Sequence, residues 1–166
     1  MQSIKIYKGS DGLRRMFLIT SNAYIDREAE IIRQKALETY VSECWKEGQW
    51  RGDNVLLFWH RGEPIGDIVD ADMEGAFLLE LAKERPDALV NLSDNSDPPF
   101  YARIKDVWDM IEKAVDIEWG VSPGFITYQH EQKAGDYQTF RKHETSVLPV
   151  EDAANSLTLS LVLRMI

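Results

Sequence analysis

A single cysteine, Cys44, stands in the 166-residue chain, so no internal disulfide can form and nothing calls for an oxidising compartment. Long apolar runs are missing as well. None approaches the ~20 residues that a membrane helix needs, and Met1-Gln2-Ser3-Ile4-Lys5 lacks the apolar core of a signal peptide. Positive charge is scarce: 19 Lys and Arg face 28 Asp and Glu, a net charge of −9. That balance argues against a protein that grips nucleic acid or an anionic membrane, because either normally presents a basic surface. Internal repeats and low-complexity tracts are also absent. What is present is 44% apolar and 28% charged, which is material for a packed core. The expectation is one soluble, acidic, intracellular domain covering residues 1–166.

Changes of hydrophobic period divide the chain. Residues 3–7 and 15–20 read as short strands around the turn Gly9-Ser10-Asp11-Gly12. Between Gln34 and about Glu47 the period is helical, with Leu37, Tyr40, Val41, Cys44 and Trp45 on one stripe and Gly48 as the stop. Asn54–His60, Ile65–Asp70 and Ala76–Ala82 read as extended, with turns at Glu63-Pro64 and Met73-Glu74-Gly75. Lys83–Phe100, with three prolines and a polar string, reads as a long irregular surface loop. Ile104, Val107, Trp108, Ile111 and Val115 restore helical spacing. Gly120–Gln129 and Tyr137–Leu148 form a strand pair joined across Lys133-Ala134-Gly135-Asp136. Ser156–Ile166 ends as a strand that can pair within the chain or with a neighbouring copy, so a homo-oligomer is an open alternative. The sum is an α+β domain: a mostly antiparallel β-barrel or strongly curved sheet flanked by helices.

Few residues are placed to carry chemistry. His60, His130 and His143 include no i, i+4 pair of a helical zinc site, and no second cysteine exists. Phosphate cradles are absent, since Gly120 and Gly124 around Ser122 match neither a Walker loop nor a dinucleotide fingerprint. No metal and no cofactor is therefore expected. Arg51-Gly52-Asp53 and Asn91-Leu92-Ser93 matter only on a secreted protein. Cys44, on an apolar stripe, reads as a buried inert thiol. Ser122 stands between two glycines just after a helix. A serine attacks a carbonyl only when a base takes its proton and the backbone leaves room, and small neighbours supply that room. An ordinary turn serine has the same signature. His60 ends an apolar strand, where a side chain can leave the core for a cleft. Glu144 and His143 are adjacent on a strand, and period-2 geometry sends them to opposite faces, so only one can serve a given site. Solvated strand charge is the plain alternative for both.

Four segments, read in order, carry more than their parts. Ser21-Asn22-Ala23-Tyr24-Ile25-Asp26-Arg27-Glu28-Ala29-Glu30-Ile31-Ile32 is followed by Lys35-Ala36-Leu37. Leu56-Leu57-Phe58-Trp59-His60 precedes Pro64-Ile65-Gly66-Asp67-Ile68. Trp119-Gly120-Val121-Ser122-Pro123-Gly124-Phe125 forms the third segment. His143-Glu144-Thr145-Ser146-Val147-Leu148-Pro149, then Ala153-Ala154-Asn155, forms the fourth. Together they resemble the blocks D-R-x-x-E-I-I, W-H with P-I-G, G-x-S-x-G-F and E-x-S-x-V-P with A-N. Those are blocks of the prohead (procapsid maturation) serine proteases of tailed phages and their prophage-encoded relatives, and the match spans roughly residues 16–160.

The resemblance implies a herpesvirus-assemblin-like fold, a β-barrel flanked by helices. It implies a catalytic Ser-His-Glu triad in which Ser122 attacks the scissile carbonyl, His60 moves the proton and Glu144 orients the imidazole. It also implies an endopeptidase of phage capsid maturation, working in the host bacterial cytoplasm inside the assembling procapsid. Its substrates would be the scaffold protein, the scaffold-like segment of the major capsid protein, and itself; no nucleic acid and no membrane is implied. Lys83–Phe100 would be a substrate-gripping flap or a self-cleavage site. Two features depart from the pattern. Pro123 has no N–H to offer an oxyanion hole, and His143 competes with Glu144, because assemblin-type enzymes use a second histidine. The Pro123 departure supports an alternative, a non-catalytic scaffold-binding or shell-assembly module with the same fold. A metal-dependent hydrolase using the three histidines ranks last.

Overall fold

A computed structural model describes residues 7–45, 54–85, 89–91, 101–114, 116–155 and 157–161. The chain opens with β1 (Tyr7–Lys8) and β2 (Arg14–Asn22), then β3 (Ile31–Ile32) and α1 (Gln34–Thr39). The helix continues as π-helical turns over Tyr40–Trp45. After it come β4 (Val55–Phe58), β5 (Arg61–Glu74), β6 (Phe77–Glu84), β7 (Leu89–Asn91), β8 (Tyr101–Arg103) and α2 (Ile104–Lys113). The last part holds β9 (Trp119–Ile126), α3 (Gln129–Ala134), β10 (Asp136–Tyr137), β11 (Arg141–Pro149) and β12 (Leu159–Leu161).

Eight strands make one mixed sheet in the order β1-β2-β6-β5-β4-β11-β9, with β12 added on β2. All pairings in it are antiparallel except β4 with β11. The sheet curls into a half-barrel. Its edge strand β9 returns toward β12, where the Val121 N–H donates to Thr158 Oγ1 at 3.4 Å. The architecture is α+β with a strongly curved sheet and few helices, as the period changes imply.

Helices cover the half-barrel through narrow apolar stripes. Leu37, Tyr40, Val41, Cys44 and Trp45 are all buried, and so are Ile104, Val107, Trp108 and Ile111 of α2. The i, i+3, i+4, i+7 spacing of the second set puts one face of the helix on the sheet. Trp108 Nε1 donates to the Ile65 carbonyl at 2.8 Å, which fixes α2 over β5. Arg14 ties the other side. Its side chain reaches Glu84 Oε2 at 2.9 Å and Asp109 Oδ1 at 2.5 Å, joining β2, β6 and α2.

Several expected boundaries move. The chain turns at Trp59-His60 rather than at Glu63-Pro64, and β5 runs through Pro64 to Glu74. Pro64 is tolerated because the β4–β5 register is irregular there: Leu56 pairs with Gly66 and Phe58 with Arg61, so Gly62–Ile65 bulge out of the ladder. The segment expected as a loop, Lys83–Phe100, holds the end of β6 and the strand β7, which pairs antiparallel with β8 just beyond it; residues 86–88 and 92–100 lie outside the described set. The β9–β11 connection holds α3 and β10, and β10 pairs in parallel with β3. Of the expected last strand, Leu159–Leu161 pairs with β2 of the same chain, while Ser156 and residues 162–166 lie outside the described set, as do residues 1–6.

The half-barrel is filled by a polar cluster as well as by apolar side chains. Glu80, 2% exposed in mid-β6, accepts hydrogen bonds from Thr20 Oγ1 at 2.6 Å, Thr145 Oγ1 at 2.8 Å and the Tyr40 hydroxyl at 2.8 Å. It is also ion-paired to Lys142 Nζ at 3.0 Å, and neither side chain is exposed at all. Lys142 Nζ donates to Asn54 Oδ1 at 2.5 Å, and Asn54 Nδ2 donates in turn to the Tyr40 oxygen. Burial pushes the Lys142 ammonium below its ordinary range, and the Glu80 charge opposes that shift. Burial and the same carboxylate hold the Tyr40 hydroxyl far above its usual range, so it serves as a neutral donor.

Removing one partner of a buried pair leaves an uncompensated charge, at a cost of about 3–5 kcal/mol. Lys142→Met alone should lose that much stability in urea unfolding. Lys142→Met with Glu80→Gln should recover a good part of it; equal losses in both would show that the pair is not coupled.

Candidate active site

His60 is presented by strained backbone. Trp59 and His60 are the two central residues of the β4–β5 hairpin, at φ +58° and +57°. Both therefore lie in the left-handed region that such turns usually fill with Asn-Gly. For bulky residues this conformation costs on the order of 1–2 kcal/mol each. Two hydrogen bonds from β11 hold the turn. The Trp59 N–H donates to the Val147 carbonyl at 3.2 Å, and the His60 N–H donates to Ser146 Oγ at 2.8 Å.

The imidazole meets a carboxylate. His60 Nδ1 is hydrogen-bonded to Glu144 Oε1, and the other oxygen, Oε2, accepts from the Ser146 hydroxyl at 2.8 Å. Ser146 thus bridges the histidine backbone and the acid, donating once and accepting once, which is what one hydroxyl can do. The Glu144 side chain is 7% exposed and that of His60 43%. A proton on Nδ1 facing the carboxylate leaves Nε2 as the acceptor on the accessible side.

A β-bulge aims Glu144. In the β9–β11 ladder Phe125 pairs with Lys142, but the next residue, Gly124, pairs with Glu144, leaving His143 as the extra residue. Without the bulge, Lys142 and Glu144 would share a face and both would point into the half-barrel. With it, Lys142 points in and Glu144 points to His60. His143 is exposed; the carboxylate, and not the neighbouring histidine, meets His60.

Gly124 makes room for that carboxylate. A Cβ at this position would lie 2.3 Å from Glu144 Oε1, so any other residue would push the acid away. Ser122, two residues earlier, is the cross-strand partner of Ser146. Directly opposed residues share a face with side chains in reach of one another, so Ser122 lies on the face that carries Ser146 and Glu144. It is half-buried, and no hydrogen bond joins it to His60 among the described residues. Pro123 pairs with Thr145 and has no N–H to donate.

The other candidates lie elsewhere. Cys44 is 7% exposed within the π-helical turns. His130 is on α3, stacked on Tyr128 with ring centroids 5.9 Å apart. Neither it nor His143 joins His60. Among the described residues, the acids Asp26, Glu28 and Glu30 bring their carboxylate oxygens within 4.8 Å of one another. Arg51-Gly52-Asp53 lies outside the described residues, as do residues 92–100 of the expected flap. Ser146 is the functional position that the residue-by-residue reading missed. Its signal is its i, i+2 spacing from Glu144, which puts both on one face.

No family model, no curated protein and no solved structure matches this chain.

Two substitutions test this geometry directly. Gly124→Ala should displace the Glu144 carboxylate and abolish the low-field Nδ1 proton resonance of His60 in NMR spectra, with the sheet retained. Ser146→Ala should cost about 1–3 kcal/mol in chemical denaturation, because it strips a buried carboxylate oxygen and a backbone N–H of their partner.

Proposed function

We propose that the chain is a serine endopeptidase in which Ser122, His60 and Glu144 act as nucleophile, base and orienting acid. The observation that supports this most is the His60 Nδ1–Glu144 hydrogen bond formed on the sheet face that also carries Ser122. In this reading His60 Nε2 takes the proton of Ser122 Oγ as that oxygen attacks the scissile carbonyl. The imidazolium, stabilised by Glu144, then returns the proton to the leaving amine, and water releases the acyl group by the same route. The missing Ser122–His60 hydrogen bond is compatible with this, since catalytic contacts are often loose without substrate.

The finer fold assignment, an assemblin-like barrel, belongs to the same proposal and is supported by the curled sheet and the four sequence blocks. So does the biological role: maturation of a phage capsid, with the scaffold protein or the scaffold-like segment of the major capsid protein as substrate, and cleavage of the chain itself. The site of action would be the procapsid in the bacterial cytoplasm. Pro123 favours a second reading. With no N–H after the nucleophile, the chain would be a non-catalytic scaffold-binding or shell-assembly module of the same fold.

Co-expression with the capsid and scaffold proteins encoded beside it, read by intact mass, separates the two. Cleavage by the wild type, lowered by on the order of 10⁴-fold or more in Ser122→Ala, is the outcome expected of a protease. Labelling of Ser122 by a serine-reactive phosphonate should accompany it. Uncut partners that still bind both forms would establish the assembly module instead.

A further inference from the structure

Ser122 also stands in the wall of a cavity of about 180 Å³, several times the ~30 Å³ that one water takes in the liquid. Near the serine the wall is apolar, formed by Val121, Pro123 and Phe125 of β9 with Ile32 of β3. The segment between β2 and β3 supplies Asp26, Glu28 and Glu30. Their carboxylate oxygens lie within 4.8 Å of one another, and none is ion-paired to a described basic group. Arg27, in their midst, turns away and donates to the carbonyls of Glu151 at 2.9 Å and Ala153 at 3.2 Å.

The acids are held in place. Asp26 Oδ1 accepts the N–H groups of Glu28 at 2.8 Å and Glu30 at 3.0 Å. The Tyr137 hydroxyl donates to Glu30 Oε1 at 2.8 Å. Burial and that bond push the phenol up to about 12, so it remains a neutral donor.

A separate observation points to a ligand. Ser21 lines the same cavity and is only 3% exposed. Its cross-strand partner is the fully buried Leu78, so its side chain faces the interior of the half-barrel. Its hydroxyl makes no hydrogen bond to any described residue. The oxygen is left open to the cavity, where a donor on a bound group can reach it.

Apolar flanks, an unanswered hydroxyl and an anionic wall match one kind of side chain: an aliphatic stem with a cationic, multi-donor head. An acidic side chain would meet like charge, and an apolar one would leave the carboxylates and Ser21 desolvated without partners. We propose that this cavity receives the Lys or Arg side chain of a peptide at the residue adjoining the bond cut by Ser122, with Asp26, Glu28 and Glu30 binding its cation. The proposal rests on the endopeptidase reading and deepens it. The net charge of −9 would steer basic segments toward the site.

Two arms on the full chain test it. In the first, the wild type digests peptides differing only by Lys, Arg, norleucine or Glu beside the cut. Lys and Arg should be preferred over norleucine, and Glu28→Gln with Glu30→Gln should reduce that preference by about tenfold. Cleavage with no basic preference would overturn the cavity assignment while leaving the protease intact. In the second arm, Ser122→Ala is titrated with the uncut lysine peptide and followed by NMR. Shifts at Tyr137 and residues 26–30 that vanish in the double Gln background would support the cavity even where no cleavage is found, in which case only the protease reading falls. Absence of those shifts would overturn the cavity. Displacement of the peptide by micromolar Ca²⁺ or Mg²⁺ would overturn it in favour of a cation site.

Discussion

The buried Lys142–Glu80 pair is the constraint around which the half-barrel closes. Two charges taken out of water are tolerable only where further hydrogen bonds satisfy them. Here the partners come from β2, β4's leading edge, the π-helical turns, β6 and β11, as Thr20, Asn54, Tyr40, Glu80, Thr145 and Lys142. A hydrophobic filling would tolerate small slips between these elements. A network of directed bonds does not, because each slip would orphan a buried donor or acceptor. The pair therefore fixes the register of β11 against the rest of the sheet.

That register sets up the candidate site. With Lys142 committed to the interior, regular alternation would bring Glu144 in after it. The bulge at His143 breaks the alternation and sends the carboxylate out to His60. The same strand then supports the hairpin that carries His60. Ser146 and Val147 receive the N–H groups of the two left-handed residues, offsetting strain that Trp and His would otherwise relieve by leaving this conformation. Backbone held in a sparsely populated region tends to mark functional positions. In this case the strain has a concrete geometric result, which is an imidazole aimed back over the strand toward the acid.

The amphipathic parts of this fold were legible and the long-range polar parts were not. The stripes at Leu37–Trp45 and Ile104–Ile111 declare themselves because helical burial repeats locally. The pairing of β9 with β11 follows from two nearby extended runs. Nothing local announces Lys142 as buried: on a strand with Arg141 and His143 it reads as one of several solvated charges, and its partner is far away on β6. The Trp59-His60 turn was hidden for a related reason. Turn chemistry is read from Gly, Asn, Asp and Pro, and the true turn has none of them, whereas Glu63-Pro64 offers the usual signal and is a bulge. His60, Ser122 and Glu144 were singled out as a set only through the four ordered blocks. Each alone is an unremarkable strand or turn residue, and the geometry that brings His60 to Glu144 depends on a bulge and a hairpin that no local pattern encodes.

Strand β9 occupies the position where these constraints meet. Being the sheet edge, it is paired on one side to β11, and its other side opens toward the cavity. Alternation then divides its residues by task. Ser122 and Gly124 face the acid and histidine, one offering a hydroxyl and the other leaving room for a carboxylate. Val121, Pro123 and Phe125 line the cavity wall, and Ser122 reaches it as well, so the serine borders both the acid and the cavity. Pro123 is out of place in a central strand, where it would cost a ladder bond, but an edge accommodates it. Its missing N–H then has a consequence for chemistry. Any donor that stabilises charge on an attacked carbonyl must then be another amide, such as that of Gly124 or of Ser122 itself, or a group on a second element approaching this edge. The side of β9 that is open to such an element is the side on which Asp26, Glu28 and Glu30 already stand, and a basic peptide drawn in there would lie against the same edge.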